Sequence, residues 1–402
     1  MKNRSLLLAF LANIIQYYDY ALFGLSASML TKYYMPHNTP SKNMLTFFGI
    51  MSVAVIMRPI GSIIFGYLGD RKGRSIVLRT SIFLASISTL LIGVIPTNND
   101  ALSTSLLIIA RMIFMTSLAG EVDGVRIYVA ETIGTKNEFL GNGVVSGSSQ
   151  IGVLLATFAY FLSSHSNFLE YYWKINFIIG GTLGLILCYF SKYISESIEF
   201  RKKDGLEAGT LRQNLPILLY GTIVSGFIGG AYHFQIIFLS AYLTSAVMLL
   251  KQDLMNIVNI ITISLYILSA VVSGYIADKY NPKKQIILSL ILTIICTITN
   301  ALLMAKNQIN LPLLIFTTIL ITFYSVPLQI ILKRRMPIEN RLKLFSLSHS
   351  LGSLIFSSSS TLIASWLWHV TQIPFAPMLY MVIMSVVLLI AVLKTDIKPS
   401  VS

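Results

Sequence analysis

Four ionisable residues lie deep inside long apolar runs of this sequence: Asp19, Arg58, Arg111 and Glu121. Charge is costly away from water, so an acid or base placed there marks an ion path, a solute contact or a buried pair. Two acids and two bases balance, as pairing requires. Counted at ~1.5 Å per residue, Arg58 falls about 16 Å from the end of its run at 69, and Glu121 about 15 Å from Glu131, which is expected at the same face. They are therefore expected to pair. Asp19 and Arg111 lie farther along, at roughly 21 and 30 Å by the same count. Such groups can carry a proton or hold a polar solute, or they can brace helices together, which also fits Arg58 beside Pro59. Gln150, His233 and Gln235 are further polar residues in apolar runs that can line a cavity. A histidine such as His233 or His349 in an apolar helix also fits a packing role. The serines at 357–360 fit close helix approach through small side chains. Asp123 and Arg126 are expected near the surface.

A second group sits between apolar runs. Residues 66–78 read G-Y-L-G-D-R-K-G-R-S-I-V-L. Gly66 and Gly73 permit a tight turn, and Asp70 with Arg71, Lys72 and Arg74 is expected to form a charged clasp. A related stretch, G-Y-I-A-D-K-Y-N-P-K-K-Q-I, begins 208 residues later at Gly274. It keeps Gly274 and Asp278, but Asn281 and Pro282 stand where the later glycine and arginine were. The pair of stretches points to an internal duplication.

The elements that must position these residues follow from composition. Of 402 residues, 55% are hydrophobic and 11% charged, against about 25% charged in soluble domains. Mean hydropathy is +0.74. These values exclude a soluble enzyme. The net charge of +14 comes from basic clusters between apolar runs, which favours a membrane over nucleic acid. Cys188 and Cys296 lie in apolar stretches, so neither a disulfide nor a metal site is suggested. The first apolar run has no clear cleavage site and reads as a retained helix. Twelve runs are long enough to span a bilayer: 5–30, 45–69, 76–95, 101–124, 143–164, 172–193, 214–246, 254–277, 285–304, 310–332, 344–369 and 374–393. They are too long and continuous for barrel strands. Basic residues number 23 in the termini and alternate loops against 5 in the opposite loops, which places both termini in the cytoplasm. The longest charged connection follows the sixth run. The expected architecture is an all-α membrane protein of twelve helices in two six-helix bundles, residues 1–191 and 214–402, joined by a cytoplasmic linker at 192–213. Parallel repeats of this kind are a transporter architecture.

Several motifs carry a family resemblance. Asn13-Ile-Ile-Gln16-Tyr17-Tyr18-Asp19-Tyr20 follows an N-x-x-E-W/Y-Y/F-D-F/Y pattern, and Arg58-Pro59-Ile60-Gly61 follows R-P-I/L-G. Arg111, Gly120-Glu121, Gly124 and Glu131 keep the spacing of R-x-x-Q-G-x(4)-G-E, and Glu196-Ser-Ile-Glu-Phe200 is similar to E-S/T-P-x-F. With the D-R-x-G-R loop, the chain resembles the metabolite:proton symporters of the major facilitator superfamily. The resemblance covers most of the N-terminal half. It implies a secondary active transporter of a small polar metabolite, coupled to protons and working by alternating access. Asn13, Gln16, Asp19, Arg58, Arg111, Glu121, Gln150 and His233 would then bind solute or couple. Gly66, Asp70, Arg71, Gly73, Arg74, Glu131 and Asp278 would gate. No cofactor or metal is implied. The implied partners are a small solute, protons and lipid, not nucleic acid, and the chain is expected to work as a monomer in a bacterial inner membrane.

The chain departs from the pattern at Gln16, Phe114, Met115, Ala119 and Ile198. Gln16 stands where the family has a titratable Glu. Asp19, three residues on, shares nearly the same helix face and is expected to be the proton-sensitive group, with Arg111 restraining it. Balanced charge suits a zwitterion such as proline or betaine ahead of a di- or tricarboxylate. An uncoupled facilitator or exchanger, and a di- or tricarboxylate transporter, remain alternatives. An intramembrane enzyme is a distant one: Tyr67-Leu68-Gly69-Asp70 is not G-x-G-D, and Gly143-Val-Val-Ser146-Gly147 is not G-x-S-G. No phosphate-binding loop is present to drive an ATP-dependent pump. A fixed pore suits two repeats with buried ion pairs less well than alternating access. The topology is testable by placing single cysteines in a cysteine-free background. An impermeant reagent outside intact cells is expected to label a cysteine at Asn98 and to miss one at Lys202, and the reverse pattern would overturn the orientation.

Overall fold

The computed structural model of the chain describes residues 2–34, 40–97, 101–165, 172–201 and 212–394. Asn98 and residues 202–211 of the expected linker, Lys202 among them, lie outside the described residues. In chain order the helices are α1 (Lys2–Leu25), α2 (Ala27–Tyr34), α3 (Pro40–Arg71), α4 (Arg74–Val94), α5 (Ala101–Ile133), α6 (Glu138–His165), α7 (Tyr172–Phe190) and α8 (Ile198–Arg201). The second half holds α9 (Leu215–Tyr232), α10 (Leu239–Ala241), α11 (Gln252–Lys279), α12 (Pro282–Met304), α13 (Leu311–Arg335), α14 (Arg341–Gly352), α15 (Ser358–Thr371) and α16 (Ala376–Leu393). Among the described residues, ten helical stretches are long and apolar enough to cross a membrane. The two remaining members of the expected twelve are α3, 32 residues long, and the stretch from α14 to α15, which is interrupted by a π-helical turn at Ser353–Ser357. Large apolar side chains such as Leu102, Phe158, Leu268 and Leu362 are exposed on the helix surfaces, as lipid-facing residues are.

The chain forms two compact units. One comprises Met1–Thr132, Ser148–Ala208 and Ile338–Leu347; the other comprises Ile133–Gly147, Gly209–Pro337 and Ser348–Ser402. Each unit therefore includes a short helical start from the other half of the sequence, which a contiguous division does not include.

In the first unit, α4 packs along α7, and Gly181 and Gly184 of α7 sit directly against Leu90 and Ser86 of α4. Small residues allow this approach where lipid supplies no hydrophobic drive between helices. The R-P-I-G motif has the same physical meaning. A Cβ added to Gly61 of α3 would lie 2.2 Å from the Thr116 carbonyl oxygen of α5. Helix α5 is buried on every side from Ser117 to Thr132, the mark of a central helix rather than an amphipathic one. It runs to Ile133, where the apolar run suggested an end at 124. That extension places Asp123 and Arg126 inside the protein, 0% and 6% exposed, and corrects the expectation that they are near-surface charges.

In the second unit, α12 lies between α13 and α16. The helix begun by α9 continues through π-helical turns at His233–Phe238 and Tyr242–Ala246. Such turns insert a residue and free backbone groups from the regular ladder. His233 Nδ1 lies 3.0 Å from the Ser357 carbonyl oxygen, at the end of the other π turn. Gln235 donates to the Leu314 carbonyl at 2.9 Å. Both side chains thus tie helices together. Gly61→Val forces Thr116 and its helix to move. Such overpacking is expected to destabilise the protein by about 1–3 kcal/mol, read as a lowered unfolding temperature in detergent, while Gly61→Ala has a smaller effect in the same direction.

Candidate functional site

Two polar constellations stand out in the first unit. The first is a small internal pocket between α1, α4, α5 and α7, lined by Gln16, Asp19, Ser86, Thr89, Phe114 and Glu121 among others. Its volume is about 10 Å³, room for one water. Arg111 Nη1 donates to Asp19 Oδ2 at 3.1 Å, and both side chains are buried. The guanidinium lies 4.1 Å from the Phe23 ring centre and 4.5 Å from that of Phe114. Cation–π contact of this kind supports a desolvated cation. Phe114, a departure from the family pattern, is thus a wall of the arginine's site and of the pocket.

The expected pairing of Arg58 with Glu121 is not formed. Glu121 is 2% exposed, and its Oε2 has no hydrogen-bond partner among the described residues. Equal depth along two helices does not fix the direction in which each side chain points. Arg58 is half-buried on α3; Glu121 turns to the pocket instead. Asn13 does not reach the pocket either. Its Nδ2 donates to Ser148 and Ser149 of α6 at 2.8 and 2.9 Å. Gln150 is buried on the same helix, and His233 belongs to the second unit. Of the eight residues expected to bind or couple, the pocket brings together Gln16, Asp19 and Glu121, with Arg111 bonded to Asp19 behind them.

The second constellation surrounds Arg74, which is fully buried. Its guanidinium donates to Asp70 Oδ1 at 2.7 Å, to the Gly69 carbonyl at 2.6 Å and to Glu131 at 3.2 and 3.3 Å. Glu131 also accepts from Ser197 Oγ at 2.7 Å and from Arg341 Nη1 at 3.1 Å, and Arg341 pairs in turn with Glu199. Asp70 accepts the backbone N–H groups of Leu342 and Lys343 at 3.1 and 2.9 Å, capping the first turn of α14. A Cβ on Gly66 would lie 2.4 Å from Lys343 Cα, so only glycine lets α14 come this close. Gly73 has φ of +112°, a backbone that favours glycine. Because it offers no side-chain cap, Glu196 supplies one, accepting from the N–H groups of Arg74 and Ser75 at 2.9 and 3.1 Å. Arg71 is not part of the clasp as expected; it is exposed and stacks on Tyr67, as does not befit a buried ligand of Asp70. Lys72 is exposed as well.

The second unit repeats part of this design. Asp278 accepts from the N–H groups of Phe139 and Leu140 at 3.2 and 2.8 Å, capping α6, and a Cβ on Gly274 would lie 2.4 Å from the Phe139 carbonyl oxygen. Glu138 pairs with Lys333 at 3.2 Å and with Arg334. Sequence reasoning missed Arg341, Glu138, Lys333 and Arg334 because charges at helix ends read as ordinary flanks. Glu196, Ser197 and Glu199 were visible only as a motif, without their partners.

A family model described as Major Facilitator Superfamily matches residues 9–343. A putative proline/betaine transporter of Staphylococcus haemolyticus (strain JCSC1435) is 26% identical over 96% of this chain and 86% of its own length. The proline/betaine transporter of Escherichia coli (strain K12) is 28% identical over 96% of this chain and 82% of its own. Among solved structures, a proton:xylose symporter bound to a bromodeoxyglucose superposes with a TM-score of 0.76 at 16% identity, over 97% of this chain and 94% of that one. Removing Arg74 leaves Asp70 and Glu131 buried without their shared cation, a loss that can reach ~3–5 kcal/mol. Arg74→Ala is therefore expected to lower the unfolding temperature in detergent more than Arg341→Ala, since Arg341 leaves Glu131 its other partners; equal shifts would show that the network has no such centre.

Proposed function

This chain belongs to the Major Facilitator Superfamily and is a multi-pass membrane protein that carries small solutes, not an enzyme; from that premise we propose that it couples solute to protons through Asp19 and Arg111. The observation that carries the proposal is the buried Asp19–Arg111 pair opening on a pocket that also holds Gln16. A proton on Asp19 cancels its charge and releases Arg111 from the pair. The arginine's bonding, and so the relative energy of the transport states, then depends on whether the proton is present. Gln16 cannot titrate, and on this reading it only hydrogen-bonds.

The relatives named proline/betaine transporters support a zwitterionic compatible solute as cargo, ahead of a di- or tricarboxylate. The orientation has both termini in the cytoplasm of a bacterial plasma membrane, with the chain acting as a monomer. The Asp70 and Asp278 caps then lie on the cytoplasmic side. Alternation requires them to let go of the first turns of α14 and α6, so they act as a gate, with Arg74 and Glu131 setting its strength.

Purified protein in liposomes tests the coupling, with labelled proline and glycine betaine as probes. A pH gradient, acidic on the uptake side, is expected to drive accumulation by the wild type. Asp19→Asn is expected to abolish accumulation while solute counterflow survives. A wild type that exchanges solute but never concentrates it would identify a facilitator, and the missing glutamate at position 16 would be its cause.

A further inference from the structure

The pocket in the first unit holds a carboxyl that the Asp19–Arg111 pair does not use. Its lining is ordered along the helices. On α1 it runs from Ala12 through Gln16 to Asp19, on α4 from Ile82 through Ser86 to Thr89, and on α5 from Phe114 to Glu121. Each of these stretches is eight residues long, seven rises or about 10 Å of helix. Because α1 and α4 run opposite to α5, Asp19, Thr89 and Phe114 share one end of the pocket. Ala12, Ile82 and Glu121 share the other, and Gln16 and Ser86 lie midway. The pocket therefore joins two carboxyls at its two ends, with an amide, a hydroxyl and room for one water between them.

The Glu121 end is otherwise closed. The side chain is 2% exposed and Oε2 is unpartnered. Charged and titratable groups near it are few. Arg111 is committed to Asp19 at the far end. On α4, Arg79 spends its guanidinium on the carbonyls of Ser191, Lys192 and Ile194. Cys188 on α7 lies near enough to feel a charge on Glu121 but is itself neutral when protonated. Arg58 on α3 makes no ion pair with it, and Asp123, two residues on along α5, is an acid. An isolated carboxylate is poorly tolerated in such surroundings, whereas the neutral acid needs only one acceptor. A water in the pocket supplies that acceptor.

We propose that Glu121 is a second proton station, and that it exchanges its proton with Asp19 through the pocket. The inference rests on the coupling reading above and extends it by one step. The Oε2–H bond of Glu121 breaks as the water accepts that proton. The water passes one of its own protons to the Ser86 hydroxyl, which turns from the Ile82 carbonyl and gives up its own proton to Asp19 Oδ1, an oxygen with no hydrogen-bond partner among the described residues. One carboxyl gains what the other loses, and no electron moves. The negative charge shifts about 10 Å along the bundle, away from Arg111. Neutralising Asp19 thus requires no direct access from water at its own end of the pocket.

Infrared difference spectroscopy on the purified protein, without solute and at neutral pH, tests this independently of transport. Subtracting the Glu121→Gln spectrum from the wild type is expected to reveal the carbonyl stretch of a protonated carboxylic acid, shifted in heavy water. Glu121→Asp is expected to retain such a band. Asp19→Asn is expected to move the Glu121 band, because the two ends share one pocket. Absence of the band, or a band indifferent to Asp19→Asn, overturns the proposal. In liposomes with labelled proline, the ratio of proton-driven accumulation to counterflow is expected to fall about tenfold or more in Glu121→Gln and to recover in part in Glu121→Asp; an unchanged ratio also overturns it. If the wild type never accumulates solute while the band responds as expected, the coupling reading fails and the proton site stands.

Discussion

Charge that leaves water must find its counter-charge inside the protein, and in this chain α5 is where that requirement is concentrated. The helix is buried all round from Ser117 to Thr132 yet carries Arg111, Glu121, Asp123, Arg126 and Glu131. Arg111 fixes its first half against α1 through Asp19. Glu131 fixes its last turn against Arg74, Ser197 and Arg341. The helices around it are placed by these bonds and by the glycines that let backbones touch, as Gly61 does against Thr116. Apolar contact alone does not order helices in lipid, because the lipid competes equally for it. Polar bonds and close backbone contact do.

The two related loops show which features recur between the two units. Gly66 and Gly274 each admit the start of another helix, and Asp70 and Asp278 each accept two of its orphan N–H groups. An anionic acceptor at a helix N-terminus is favoured by the exposed amides and by the helix dipole. The tyrosine and the base that stacks on it are kept as well, Tyr67 with Arg71 and Tyr275 with Lys279, and most of the remaining positions differ. Where Gly73 leaves the start of α4 to be capped by the distant Glu196, Asn281 caps α12 locally through Lys283 and Lys284. The neighbouring ion pairs also reverse sign. An acid ending α5 meets Arg341 at the start of α14, while Lys333 and Arg334 ending α13 meet an acid, Glu138, at the start of α6.

The pattern of membrane helices and the pairing of Asp70 with Arg74 were legible in the sequence because each depends on residue type and local spacing. The direction of a side chain was not. Arg58 and Glu121 lie at matching depth but do not meet, whereas Asp19 and Arg111, with the poorer match in depth, do. Depth along a helix leaves the azimuth of a side chain open, and a separate error lay in the apolar limit at 124, which α5 passes by nine residues to reach Ile133. The same error put Asp123 and Arg126 at the surface. Arg341 was hidden for a different reason: a basic residue flanking an apolar helix is what membrane topology demands everywhere, so its bond to Glu131 left no separate mark.

The size of the pocket constrains how the proposed proton coupling can work. A space with room for one water cannot admit a solute as large as proline, so the proton and the solute do not compete for the same oxygen atoms in this conformation. Their linkage must pass through a group that both sense. Arg111 fits that position, because its guanidinium has one bond to Asp19 and leaves Nε and Nη2 without hydrogen-bond partners. Those two donors are desolvated between Phe23 and Phe114, where an unmade hydrogen bond costs more than it would in water. A carboxylate arriving on the solute would complete them, and a charged Asp19 holds the arginine back from turning to meet it. Protonation of Asp19 removes that hold. The chemistry that makes the pair expensive to bury is therefore the same chemistry that makes it sensitive to a proton, and a neutral amide at position 16 does not interrupt it.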